Sequence, residues 1–176
     1  PSILGEGTNW QAELFKNSPM KKHQISLSGG TDKTRFYVSG EYFDQDGIAI
    51  GSSFKRYGVR LNLDNDVTKW LKIGTNLNIS QTGERLGTTG RNLINDALNS
   101  APSSPVRDIN TGDFAGPDAN NTINGSSIQF APINPVALAH LTNNDLTRRE
   151  FRGGIHAELE IIKGLKFRTA FNTSYG

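Results

Sequence analysis

The chain lacks cysteine altogether and carries one methionine and three histidines. Without cysteine there is no disulfide framework, no thiolate nucleophile and no Cys-based zinc site. The histidines, His23, His140 and His156, stand singly. A run of about 18 apolar residues is also missing, so no transmembrane helix is encoded. Apolar residues make up only 35% of the chain, and mean hydropathy is −0.48. Charge of one sign is absent too. Nineteen basic against 17 acidic residues leave a net charge of +2. That balance argues against a nucleic-acid groove, despite a sequence pI of about 9.0. No leader pattern opens the chain, which starts at Pro1 without Met and stops at Gly176 within a strand pattern. It is expected to be an internal piece of a longer polypeptide.

What is present is long polar/apolar alternation, joined by connections of very unequal length. Six strands are expected at about 22–29, 34–44, 54–66, 70–82, 147–162 and from 165 onward. On one face stand Ile25, Leu27, Phe36, Val38, Tyr57, Val59, Leu61, Leu63, Leu71, Ile73, Ile155, Leu159, Phe167 and Phe171. The other face is polar and carries charges of both signs. A short helix capped by Thr8 or Asn9 is expected within residues 1–21. Two more are expected at about 91–99 and 135–141, the last with Pro135 in its first turn.

A soluble antiparallel sheet with one wet face shows the same alternation. Strands of roughly ten to fifteen residues exceed the mode of about 5–6 in globular proteins, and a tilted membrane strand needs about 9–11. The expected fold is therefore all-β, an antiparallel transmembrane β-barrel segment of about six strands whose long loops carry short helices. Residues 1–21 form an extracellular loop, 22–82 four barrel strands, 83–146 a long extracellular loop, and 147–176 two further strands. The short turns at 30–33, 67–69 and 163–164 face the periplasm, and the longer loops face outward. Tyr42, Phe43, Phe54, Tyr57, Trp70, Phe167 and Tyr175, near strand ends, suit interfacial girdles. Six strands do not close a bacterial barrel, so the remainder of the parent barrel and outer-membrane lipid are implied as partners.

Several stretches carry a family resemblance. They are SGG with a following Lys-Thr-Arg, EYFDQDGI, FKRYGVRLNLD, KWLKIGTNLNIS, ALNSAPSSPV, NPVALAHL and RREFRGGIHAELEIIKGLKFRT. In colinear order they resemble the SusC/RagA-type TonB-dependent outer-membrane transporters of Bacteroidota, in the first part of the barrel after the plug. The resemblance implies a barrel of roughly 22 strands with a plugged lumen. It implies import of oligosaccharides or peptides with energy from TonB, engaged through the parent's N-terminal region, and a SusD-like surface lipoprotein as lid. The location implied is the Gram-negative outer membrane.

Candidate site residues fall in two groups. Arg35, Glu41, Arg56, Arg60, Arg152, His156, Glu158, Glu160, Lys166 and Arg168 are expected to face the lumen, where they contact plug or substrate or else pair across strands. Arg91, Asn92, Asn95, Asp108, Asn110, Asp113, Asn120 and Asn121 belong to the long loop. Their amides and carboxylates suit hydrogen bonding to a substrate or lid, and equally the capping of the loop's own turns. The Asp108–Asp113 stretch offers oxygen donors but lacks the Glu-terminated calcium loop, so no metal is assigned. Neither a nucleophile with an oxyanion site near His156 and Glu158 nor a phosphate-binding glycine loop is found, and no catalytic residue or cofactor is expected. A passive outer-membrane pore, a structural barrel and a soluble carbohydrate-binding β-domain remain as alternatives.

Overall fold

The computed structural model describes residues 7–87, 93–109, 111–115, 122–123, 126–127 and 134–176. In chain order the elements are α1 (Trp10–Leu14), β1 (Met20–Gly30), β2 (Thr34–Asp46), β3 (Ser53–Asp66), β4 (Leu71–Arg85), α2 (Leu93–Asn99), α3 (Pro135–Leu141), β5 (Asp145–Ile162) and β6 (Leu165–Tyr175). A two-residue ladder pairs Thr122–Ile123 with Ser126–Ser127. The six long strands form one sheet in the order β1-β2-β3-β4-β5-β6, each beside its neighbour in sequence. All six expected strands form, and most extend a few residues past the expected ends. The longest, β5, has 18 residues.

The sheet is one compact unit, drawn from Met20–Gln45, Phe54–Glu84 and Thr147–Gly176. Local chemistry sets its short turns. Thr31 Oγ1 accepts from the N–H groups of Lys33 and Thr34, and Thr68 Oγ1 does the same for Trp70 and Leu71. A threonine hydroxyl thus closes each of these two reversals. The β5–β6 turn instead uses Gly164 at φ 86°, a conformation a Cβ disfavours. A register shift between Glu160 and Ile162 precedes it. In the β1–β2 register Leu27 lies opposite Val38 and Ile25 opposite Gly40, while Gln24 opposes Glu41 and Ser26 opposes Ser39. Apolar thus meets apolar and polar meets polar through the middle of the pair, as a period-2 side-chain pattern requires, while Lys22 opposite Phe43 and Met20 opposite Gln45 break the match near the loop end.

The second unit comprises the described residues of Pro1–Pro19, Asp46–Ser53 and Arg85–Leu146. Its three helices pack on one another around a core of Trp10, Leu14, Leu93, Ala97, Val136 and Ala139. Asn9 caps α1 by accepting from the N–H of Ala12. Thr8 instead donates Oγ1–H to the carbonyl of Ser104. Asn134 caps α3 and is buried, accepting from the N–H groups of Val136 and Ala137. Its amide also donates to the carbonyls of Val106 and Ala115. One side chain thus ties the start of α3 to the hairpin closed by the Arg107–Phe114 bridge. The indole N–H of Trp10 donates to Ala101, fixing the segment after α2. Among the described residues no helix is long and apolar enough to cross a membrane, which says nothing of crossing by strands.

Candidate functional site: the polar face of the sheet

The two faces of the sheet differ sharply. One presents large apolar side chains with nothing over them: Tyr57 and Val59 on β3 and Ile155 on β5, all interior strands, are each at least half exposed, as are Ile25, Leu27, Phe167 and Phe171 on the two outer strands. On interior strands a soluble protein would cover such residues with a second layer. The opposite face carries the charged candidates, and six of the ten make ion pairs there, four of them with one another. Glu41 on β2 receives Arg56 from β3 and Lys22 from β1, the latter at 3.4 Å. Lys166 reaches Glu158 at 2.9 Å, and Lys72 reaches Asp66 at 3.4 Å. His156 Nε2 lies 3.7 Å from Asp64, and Arg152 bonds Glu150 two residues away at 3.0 Å. Glu160 accepts from the N–H of Gly164 in the turn. Such solvent-side pairs contribute roughly 0–1 kcal/mol each, so they order the face more than they hold the fold.

Glycine makes some of these meetings possible. Gly74 and Gly154 are the buried residues of the sheet unit. A Cβ on Gly74 would run into His156 and Asp64, which approach each other across β4. A Cβ on Gly154 would run into the side-chain oxygens of Asn76 and Asn172, which lean in from the flanking strands. A missing side chain on the middle strand thus lets side chains from its two neighbours converge.

Arg35, Arg60 and Arg168 make no ion pair among the described residues. Arg35 and Arg168 share a 140 Å³ hollow with Asp64, Asp66, Lys72 and His156. Arg60 borders two larger hollows. One, of 330 Å³, includes Glu41, Arg56 and Tyr37. The other, of 520 Å³, includes Asn62, Asn76, Asn78, Arg152 and Asn172. The sequence reading placed these asparagines on the polar face but did not single them out. Alternation assigns a face, while convergence across three strands needs the register.

The aromatics divide between faces. Tyr42 packs with Tyr57 and stacks on His23, on the apolar side, and its hydroxyl donates to Asp44. That arrangement suits an interfacial girdle. Phe43 and Phe54, expected in the same girdle, lie on the polar side instead. Their rings meet edge-on at 5.7 Å, and the Arg56 guanidinium lies 5.8 Å from the Phe43 centroid. The cause is parity: Phe43 is one residue beyond Tyr42, and Phe54 is two residues before Arg56, on that side chain's own face.

The long-loop candidates do not gather into one described cluster. Arg91, Asn92, Asn110, Asn120 and Asn121 lie outside the described residues. Asn95 is exposed on α2, and its carbonyl accepts from the side chain of Asn99. Asp108 and Asp113 belong to one tight hairpin. The Asp108 N–H donates to the Asp113 carbonyl, and the Asp108 carboxylate accepts from the N–H of Thr111. This carboxylate caps its own turn, and no metal-binding group of three His, Cys, Asp or Glu exists among the described residues. At the base of the hairpin Arg107 covers Phe114 at 4.4 Å, and Phe114 stacks on His140. At the loop ends of β4 and β5, Arg85 grips Asp145 through two nitrogens at 2.8 and 3.0 Å.

Comparison with known proteins gives this geometry its context. No protein-family model matches the chain. TonB-dependent receptor P3 of Formosa agariphila is 32% identical over 95% of the chain, which spans 16% of that relative. TonB-dependent receptor SusC of Bacteroides thetaiotaomicron is 29% identical over 90% of the chain, which spans 17% of it. Among solved structures, the RagAB peptide transporter superposes with a TM-score of 0.75 at 27% identity. That match covers 97% of this chain and 19% of the transporter chain. The family resemblance read from the sequence is borne out, as is the six-stranded barrel-segment fold. The relatives are receptors and transporters, in line with the reading that the chain is no enzyme.

Proposed function

We propose, for a chain that belongs in sequence and fold to the SusC/RagA-type TonB-dependent receptors, that it forms part of the wall and outer loops of an outer-membrane importer. The observation that carries this reading is the uncovered apolar face, on interior strands, of a sheet whose other face is internally paired. Lipid on one side and a hydrated, plugged lumen on the other satisfy both faces. The importer takes up oligosaccharides or peptides with energy delivered by TonB, and a SusD-like surface lipoprotein closes over its mouth. RagAB is a peptide importer, which supports the peptide half of that range. On this reading the polar face, from Arg35 and Glu41 to Lys166 and Arg168, faces the lumen, and the short turns face the periplasm. The loop unit with Asn95, Asp108 and Asp113 meets the outside medium, where substrate or lid contact falls to it.

Purification of the full-length protein from outer membranes tests this. The expected result is a detergent-dependent species several times 19.2 kDa, co-purifying with a lipoprotein, whose substrate uptake collapses when the proton-motive force is dissipated. Uptake indifferent to the proton-motive force would make it a passive pore. A detergent-independent 19.2 kDa monomer would make it a soluble β-domain.

A further inference from the structure

We propose that the 520 Å³ hollow on the polar face binds the carboxylate of a solute in transit. Its polar wall includes Arg60 of β3, Asn62 of β3, Asn76 and Asn78 of β4, Arg152 of β5 and Asn172 of β6. In the other hollows of this face arginines share the lining with carboxylates: Glu41 in the 330 Å³ hollow, and Asp64, Asp66 and Glu158 in the 140 Å³ one. This hollow breaks the pattern, because it has two arginines and no acidic residue in its lining. Among the described residues Arg60 makes no ion pair, and the partner of Arg152, Glu150, stands outside the lining. Nor do the side-chain amides of Asn62, Asn76, Asn78 and Asn172 hydrogen-bond to any described group.

The hollow is also shaped by the backbone. In the β5–β6 register Gly154 lies opposite Asn172, and Arg152 lies opposite Ser174. Because Gly154 has no Cβ, the amides of Asn76 and Asn172 lean over β5 from both sides. A guanidinium fork bonds both oxygens of a carboxylate, and each asparagine offers two N–H donors. Free donors and unmatched positive charge together fit an anion with planar oxygens. An acidic peptide and a uronic-acid glycan share that group.

This inference rests on the importer reading, which the outer-membrane purification decides without any ligand, so failure here is separable from failure there. The test is calorimetric binding to the full-length protein in detergent. The probes are triglutamate against triglutamine, and trigalacturonate against maltotriose. The expected result is that one acidic probe binds about tenfold more tightly than its neutral counterpart, the scale of a charge-assisted contact. The favoured pair identifies the source of the carboxylate. Arg60→Gln, at an exposed position, erases the preference and leaves the neutral probe unchanged. Asn76→Asp, which brings a like charge into the hollow, weakens only the acidic probe. Absence of any acidic preference in the wild type overturns the proposal, as does a preference that survives Arg60→Gln. If Arg60→Gln spares the preference but exposes the plug to protease, the hollow is a plug contact and the proposal also falls.

Discussion

Leu14, in a short helix of the loop unit, is completely buried, while Ile25, in the middle of β1, is 81% exposed. The contrast extends across both units. Trp10, Leu93, Val136 and Ala139 form a closed core among connecting segments, whereas the buried residues of the sheet unit are the glycines Gly74 and Gly154. In a water-soluble protein the assignment runs the other way, with strands inside and connections outside. If the sheet is a membrane wall, the inversion means that the two units are stabilised by different solvents. The loop unit folds by the ordinary hydrophobic effect, burying roughly a hundred degrees of each short helix against the others. On the importer reading the sheet holds its apolar face open because the surrounding medium is itself apolar, and backbone pairing within the wall becomes its main internal constraint.

The largest expected effect tests the loop side of this contrast. Leu14→Ala leaves a hole in the helical core and costs about 2–5 kcal/mol. Limited proteolysis of the full-length protein should then cut the loop unit faster, while heat-modifiable migration of the barrel stays as in the wild type. Equal loss of both would show that the units are not separately stabilised. On the sheet side, Leu61→Arg and Ile73→Arg each place a charge on the apolar face, at about 2–4 kcal/mol near mid-membrane. In water the same half-exposed positions would tolerate arginine within about 0.5 kcal/mol. The amount of assembled barrel in outer membranes separates the two cases, and normal assembly of both variants would break the comparison. Gly58→Arg and Asn76→Lys, on the polar face, should be milder.

Sequence pattern reveals most of this architecture because a two-residue period is a strong signal over strands of 11 to 18 residues. The helices were legible for local reasons: Asn9 and Pro135 mark helix starts, and Leu93 and Ala97 recur at helical spacing. Less legible was whatever depends on register or parity at strand ends. Phe43 and Phe54 read as girdle aromatics from position alone, yet one step of alternation turns them to the polar face. The convergence of Asn76 and Asn172 over Gly154 joins residues almost a hundred positions apart, and no local window contains it. The role of Asn134 was hidden for the same reason, since its acceptors Val106 and Ala115 lie far back along the chain.

A middle-sized effect comes from that hub. Asn134→Ala removes the α3 cap and takes its amide donor from the Ala115 and Val106 carbonyls, of which Val106 keeps the Ala115 N–H, at about 1–3 kcal/mol. Hydrogen exchange should speed up at Val136 and Ala137 and around the Arg107–Phe114 bridge. Strand amides of β1 to β4 should keep wild-type protection. If those amides also lose protection, the hub supports the wall and the two-solvent division is too simple.

The smallest expected effect probes the wet side of the sheet. Glu41 holds Lys22 and Arg56 together, so Glu41→Gln frees two cations at once. In a hydrated lumen screening limits the loss to about 1 kcal/mol or less, and barrel melting should shift only slightly. The shift should shrink further as salt is raised from 0.05 to about 0.5 M, because the Debye length falls well below 10 Å over that range. A dry environment predicts the opposite, since breaking a buried ion pair costs about 3–5 kcal/mol and escapes screening. A large, salt-insensitive loss would therefore place Glu41 under the plug rather than in water. The polar face would then divide into a dry part near β2 and a wet part around Arg60, with the open hollow belonging to the second.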